Sequence, residues 1–182
     1  MQEKEAVAIL KKYAPNPKTF QVILQHGKAV QQVAVIIAQD IKRRRHKVDL
    51  QLVKMGCLLH DMGHFWYPPK HPDVIRHGLK AAQILKKEGF PKLAKIAERH
   101  IGVGISKQDI IKGKLNLPKR DMLPKTIEEK IIAYADNMIH GDRISTVREL
   151  SNMFKKFNKD VRERAKNLHN EIEKLRGGKE FI

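Results

Sequence analysis

Cysteine is almost missing from this chain: Cys57 is the one thiol in 182 residues. A single thiol closes no internal disulfide. Its place in an apolar helical stretch marks it as an inert core group suited to a reducing, cytoplasmic setting. Aromatic residues are scarce at 5%, which leaves little material for the stacking platforms of single-strand nucleic-acid binders. No apolar run approaches the ~20 residues that span a bilayer. Met1 leads straight into Gln-Glu-Lys-Glu rather than into a cationic and then apolar leader, so neither secretion nor membrane insertion is expected. Alternating strand patterns and internal repeats are lacking. So are G-x-S-x-G, a P-loop and any cysteine in a reactive setting, which removes the usual nucleophilic and phosphate-cradling machinery.

What is present is positive charge and helical periodicity. The net charge of +17 favours anionic partners such as nucleotides, phosphorylated metabolites, nucleic acid or acidic lipid, without choosing among them. The densest run, Lys42-Arg43-Arg44-Arg45-His46-Lys47, falls at a helix C-terminus, where cations complement the dipole; a solvated helix end is the simpler reading. The pattern predicts an all-α single domain, a bundle of about six to eight helices with a long C-terminal one. Residues 1–16 read as a short helix and linker. His26-Gly27 precedes a helix over 28–44 with Val30, Val33, Ala34, Ile37 and Ile41 in a buried stripe. Asp49 caps a mostly apolar helix running to His60-Asp61, Pro91 opens another, and Thr126 with Glu129 forms a capping box for the helix carrying Asp136. Beyond Gly141, residues 144–182 read as one long basic helix with Val147, Leu150, Phe154, Phe157, Val161, Leu168, Ile172 and Leu175 at a 3–4 spacing broken by Arg164. It packs on the body or pairs with a second copy, and Gly177-Gly178 releases a frayed tail.

Four of the nine histidines, His26, His60, His77 and His100, fall in or beside strongly apolar helical segments. Each alone reads as a satisfied core histidine. Together with the adjacent Asp61 and an inward-facing Asp136 they ask for one explanation, because burying imidazoles and carboxylates without partners is unfavourable. A metal ion accepts both kinds of donor. Histidine and carboxylate without thiolate suit Fe, Mn, Co, Ni or Zn.

These residues resemble a known family. His26, His60-Asp61 and Asp136 are similar to the H…HD…D signature of the HD superfamily of metal-dependent phosphohydrolases, and Leu58-Leu59-His60-Asp61-Met62-Gly63-His64 has its characteristic form. His77-Gly78-x-x-Ala81 and Glu98-Arg99-His100 resemble the additional histidines of binuclear members. Ala135-Asp136-Asn137 and the later Arg143 resemble the close of small stand-alone HD proteins, among them the dinucleoside tetraphosphate hydrolases of this type and relatives of unassigned activity. The likeness covers about residues 20–150, and the domain is placed at 17–143. It implies one ion held by His26, His60 and Asp136, a second by His77 and His100, and Asp61 bridging them. Two such cations ~4 Å apart would activate a shared water against a phosphoester.

The resemblance leaves some roles open. Many relatives have lysine where this chain has His64, which can act as a cation toward phosphate, as a general acid, or as a merely solvated ring. Lys80 and Arg143 are candidate phosphate contacts or ordinary surface cations. Trp66 and Tyr67 either flank a flat substrate group or cover the core. His46, His71, His140 and His169 have no motif support and are expected to be exposed. Gly63 is expected to clear space for substrate, and residues 65–74 and 102–125 to shape the pocket. Two functions compete: a phosphohydrolase acting on a small nucleotide-like substrate, and a non-catalytic module of the same fold that binds nucleotide or RNA through its basic surface.

Overall fold

Helix α2, Pro17–Arg43, is the longest of the described helices and packs against the helix that ends at Leu59 and the helix that carries Asp136. The computed structural model of the chain describes residues 2–140 and 143–178, the side chains of Val147 and Ser151 excepted. Asn16 starts α2 by accepting a hydrogen bond from the Thr19 N–H at 2.8 Å, and Pro17 occupies the first turn, where no N–H is needed. The helix runs 27 residues, roughly 40 Å, and the predicted stripe from Val30 to Ile41 is buried. It is not interrupted at His26-Gly27 as the sequence suggests. Glycine stands there for packing: a Cβ at Gly27 would lie 2.8 Å from the Cys57 carbonyl oxygen of the neighbouring helix.

That neighbour, α3 (Leu50–Leu59), is capped by Asp49 accepting from the Leu52 N–H. Every residue from Met55 to Leu59 is buried. The chain then makes a 3-10 turn, Met62–Phe65, and another at Val74–Arg76, before α4 (His77–Lys87) and α5 (Pro91–Arg99). These two helices approach closely because a Cβ at Gly78 would fall 2.6 Å from the Ala97 oxygen. Helix α1 (Glu3–Tyr13) lies against α3, and α6 (Lys107–Lys112) covers a small apolar cluster of Ile105, Ile110 and Met122. Helix α7 (Ile127–Met138) has the predicted Thr126/Glu129 capping box and packs on α2, α3 and α5.

Two features differ from the sequence reading. After α7 comes a two-residue antiparallel ribbon, β1 (Ile139–His140) with β2 (Arg143–Ile144), where no strand was expected. Gly141, read as the break, lies outside the described residues. The expected single C-terminal helix is two, α8 (Val147–Phe154) and α9 (Lys159–Arg176). Asn158 caps α9 by accepting from the Val161 N–H, and that alternative local bond outcompetes continuation of the helix. Gly177, at φ 83°, ends α9 in the left-handed conformation that glycine adopts without strain; residues 179–182 lie outside the described part.

Helix α9 lies along α2 and α7. Leu168 and Ile172 are buried, Lys130 reaches Glu171 at 2.6 Å, and Arg176 donates to Asp40 at 3.1 Å with both side chains under one-tenth exposed. Arg44, within the dense basic run, donates to the Arg176 carbonyl at 2.9 Å, so part of that run anchors the C-terminal helix. Among the described residues there are nine α-helices, and none is long and apolar enough to cross a membrane.

Candidate metal centre

Three histidines end helical segments by the same device. His60, His77 and His100 each donate Nδ1–H to the carbonyl three residues earlier, on Cys57 at 2.8 Å, Val74 at 2.7 Å and Ala97 at 2.8 Å. Each bond satisfies a carbonyl and fixes the tautomer of the neutral ring, whose lone pair then lies on Nε2, turned into the protein. His64 does likewise toward the Tyr67 carbonyl at 2.6 Å. Orienting a ligating imidazole through a bond at its other nitrogen is the usual support around a metal.

The six residues singled out from the sequence meet at one place. Asp61 sits at its centre, 13% exposed, with its oxygens facing opposite ways. Oδ2 lies 3.4 Å from His26 Nε2 and 3.7 Å from His60 Nε2; Oδ1 lies 3.3 Å from His77 Nε2 and 3.1 Å from His100 Nε2. On the Oδ2 side, Asp136 Oδ1 stands 3.0 Å from His26 Nε2 and 3.3 Å from His60 Nε2. His64 Nε2 is 3.7 Å from Asp61 Oδ1, and its ring stacks on His77 with centroids 4.0 Å apart and planes 15° apart.

This set fits a divalent metal on two grounds independent of motif. His60 Nε2 is fully buried and makes no hydrogen bond, with the Asp136 and Asp61 carboxylate oxygens at 3.3 and 3.7 Å; a buried polar atom left so is costly in a dry core. In addition, the Nε2 atoms of His77 and His100 stand 3.0 Å apart with both Nδ1–H groups committed elsewhere. Two facing lone pairs repel unless a cation lies near them. Three groups have ligand atoms within 4.8 Å of one another: His26 with His60 and Asp136, His60 with Asp61 and His100, and Asp61 with His64 and His77.

The electrostatics agree. Burial opposes charge on His60, yet the Asp61 and Asp136 carboxylates outweigh it and push the metal-free ring up to about 9. Burial likewise resists charge on Asp61 and Asp136; the surrounding imidazoles, His60 foremost, overcome it and hold both well below the ordinary carboxylate range. Burial holds His64 and His100 below the usual imidazole value. Cys57 is pushed up by burial and then by Asp136, which leaves it an inert thiol.

The centre opens into a cleft of about 280 Å³. Its walls revise several expectations. Neither Lys80 nor Arg143 lines it: the Lys80 ammonium sits over the Trp66 ring, 4.9 Å from its centroid, and Arg143 pairs with Glu149 at 3.0 Å. Trp66 and Tyr67 are also off the lining; Trp66 packs beside Tyr13 with centroids 6.1 Å apart. Gly63 clears space for backbone rather than substrate, since a Cβ there would fall 1.9 Å from the His77 carbonyl oxygen. Of residues 65–74 and 102–125 only Gly102 reaches the cleft. The remaining wall is Ile101, Asn137, Ile139, His140 and Met153. Asn137 donates to the Gly102 and Ala133 carbonyls, at 2.6 and 2.7 Å, while His140 contacts Met153 Sδ at 3.3 Å and the Ser145 hydroxyl at 2.7 Å. Asn137 belongs to the Ala135-Asp136-Asn137 stretch noted in the sequence, whereas no pattern in the chain singles out the other four. His46 and His140 are exposed as expected, whereas His71 and His169 are half-buried.

A helical bundle closing buried histidines and two carboxylates over a cleft defines a metal-binding α-helical domain. Residues 23–141 match the HD domain, and the chain belongs to that family. It is 41% identical over 160 residues to an uncharacterized protein of Methanocaldococcus jannaschii, covering 87% of this chain and 86% of that protein. It is 35% identical to proteins named tRNA (cytidine(56)-2'-O)-methyltransferase from Picrophilus torridus and Thermoplasma volcanium. It spans 47% and 45% of their lengths, so about half of each lies outside the match. Among solved structures, the HD domain of the L. monocytogenes phosphodiesterase PgpH shares the fold, with a TM-score of 0.54 and 19% identity over 94% of this chain and 97% of that one.

Proposed function

We propose that the chain is a metal-dependent phosphohydrolase that cleaves a phosphoester or phosphoanhydride of a nucleotide-like substrate. The observation that carries this reading is the division of Asp61, one oxygen toward His26 and His60, the other toward His77 and His100. A carboxylate facing two histidine sets in this way would be the group shared by two ions. His26, His60 and Asp136 would hold one, and His77 and His100 the other. Fe, Mn, Co, Ni and Zn all suit this donor set. When bound, such ions supply Lewis acidity toward phosphoryl oxygens and lower the pKa of water.

The chain's own groups hold and orient. The Cys57, Val74 and Ala97 carbonyls hold three imidazoles with Nε2 turned to the centre. His64 is held low by burial, and any cation beside it lowers it further, so it serves as a neutral proton acceptor rather than a phosphate-binding cation. The Asn137 amide hydrogens are engaged by two carbonyls, which leaves its oxygen as an acceptor at the cleft. A nucleotide substrate is supported by the PgpH domain, which shares this fold and has been captured with cyclic-di-AMP.

A second reading, a non-catalytic module binding nucleotide or RNA, is favoured by the charge of +17 and by the match to half of two proteins named tRNA methyltransferases. The deciding experiment is metal analysis followed by a panel of nucleotides, linear dinucleotides and cyclic dinucleotides with Mn, Fe, Co, Ni, Zn and Mg. Stoichiometric metal and turnover abolished by Asp61→Ala support the hydrolase. Full activity in that variant, or no bound metal, would sink it.

A further inference from the structure

A groove of about 470 Å³ runs between α8 and α9, outside the metal cleft. Its floor is apolar, formed by Leu150, Phe154 and Ala165, and its rim carries Lys155, Arg162, Lys166 and His169. Arg162, Lys166 and His169 stand four and three residues apart on α9, so they form one stripe along the groove. His169 is fixed there by a hydrogen bond between its Nδ1 and the Tyr134 hydroxyl at 2.8 Å.

The cations in and just before α9 differ in their partners. Arg164 and Arg176, turned to the body, are paired with Asp109 and Asp40. Lys155, Arg162 and Lys166, on the groove, are exposed and have no carboxylate within ion-pair distance among the described residues. Among the described residues no acidic side chain lines the groove. Beside it, in the turn between the two helices, Phe157 is 51% exposed, with its ring centroid 5.8 Å from that of Phe154. Unneutralised cations in a row next to an open aromatic face match a phosphate backbone with an unstacked base. A peptide of acidic side chains alone would use the charges but leave the ring without a partner. The composition counts few aromatics, but placement decides, and one exposed ring beside the stripe is enough to stack one base.

We infer that the α8–α9 groove is a binding site for single-stranded nucleic acid. Lys155, Arg162, Lys166 and His169 contact phosphates, and Phe157 offers its face to a base. The groove shares a wall with the metal cleft: Leu150 and Phe154 face the groove, whereas Met153 of the same helix lines the cleft. A strand seated in the groove therefore passes beside that cleft.

The test is fluorescence anisotropy of the full chain with labelled single-stranded RNA and DNA of one mixed sequence, between about 50 and 200 mM salt. One variant carries Lys155→Glu, Arg162→Glu and Lys166→Glu. A charge-matched control carries Lys4→Glu, Lys11→Glu and Lys86→Glu on α1 and α4. The groove variant should bind at least ~10-fold more weakly, with the slope of log affinity against log salt shallower by about 2, while the control changes less. A set with glutamine at the three groove positions, and Phe157→Ala, should weaken binding in the same direction should the glutamate variant misfold. Equal loss in both charge-reversed variants, absence of binding to either strand, full competition by free AMP, or preferential binding of phosphatidylglycerol vesicles or an acidic peptide would overturn the inference. RNA bound far more tightly than DNA would identify the strand. The hydrolase reading rests on bound metal and Asp61, neither of which enters this assay.

Discussion

His77 and His100 face each other through their Nε2 atoms at 3.0 Å, each ring having given its Nδ1–H to a carbonyl on its own segment. The two rings come from α4 and the end of α5, helices held together where Gly78 lets the Ala97 carbonyl approach. Such an arrangement of two acceptors is relieved by a cation, and it links helix packing directly to metal binding.

From that pair follows a stoichiometry. Elemental analysis of the purified protein should find two ions per chain, and His77→Ala or His100→Ala should remove about one while leaving the other. His26→Ala should deplete the opposite half. Unchanged metal content in the His77 and His100 variants would instead indicate a one-metal centre.

Asp61 should be the least replaceable residue. Asp61→Asn keeps the shape but removes the charge that faces both halves, so activity should fall by more than the ~10–100-fold typical of losing a supporting partner around a metal. Steady-state kinetics and metal content, measured on the same preparations, check it.

The pH dependence of the metal-free protein has a defined sign. His60 is raised from 6.5 to about 9 in the folded chain, so its ionised form contributes stability below pH 6.5 that is lost as pH rises through 9. Metal replaces that proton. The gain in melting temperature on adding metal should therefore grow from pH 6.5 to 9, and calorimetry near pH 7 in buffers of different ionisation enthalpy should detect proton release on binding. A metal-induced shift that is flat across this range would contradict it.

Gly63→Ala should damage the centre without touching a ligand. Its Cβ would lie 1.9 Å from the His77 carbonyl oxygen, so the turn after Asp61 must move away from α4. A stability loss of roughly 1–3 kcal/mol or more, as for overpacked sites, and weaker metal retention are expected. Thermal melts and dialysis against chelator measure both.

The buried pair that anchors α9 should matter for stability alone. Arg176→Ala leaves Asp40, 7% exposed, with the Arg43 guanidinium at 3.0 Å as its remaining ion-pair partner among the described residues, so the loss should fall below the ~3–5 kcal/mol of a buried charge stripped of its partner. Denaturant unfolding gives the loss, while metal content of the folded fraction should remain that of the unaltered chain.

Much of the fold was legible because its signals are local. The caps at Asn16, Asp49 and Thr126 and the stripe from Val30 to Ile41 depend on residues within one or two turns. The six donors were also legible as candidates, since imidazoles and carboxylates in apolar helical segments stand out against their surroundings. Glycine misled twice: Gly27 resembles a break and Gly63 a substrate-facing turn, yet both exist for a neighbouring backbone that the local pattern does not contain. The division of the C-terminal segment at Asn158 was missed because a 3–4 apolar spacing continues across it.

The sequence by itself determined that the chain is helical, that it carries a strong positive charge, and which six side chains could share a metal. Tertiary structure alone decided that Asp61 turns one oxygen to each histidine set, that Lys80 and Arg143 are engaged by Trp66 and Glu149 outside the cleft, and that Lys155, Arg162 and Lys166 stand along a groove lined by no carboxylate among the described residues. The reason is physical. Propensity, capping and amphipathic spacing act over a few residues, whereas the direction of a lone pair or the neutralisation of a charge depends on partners from distant segments, which packing alone brings together.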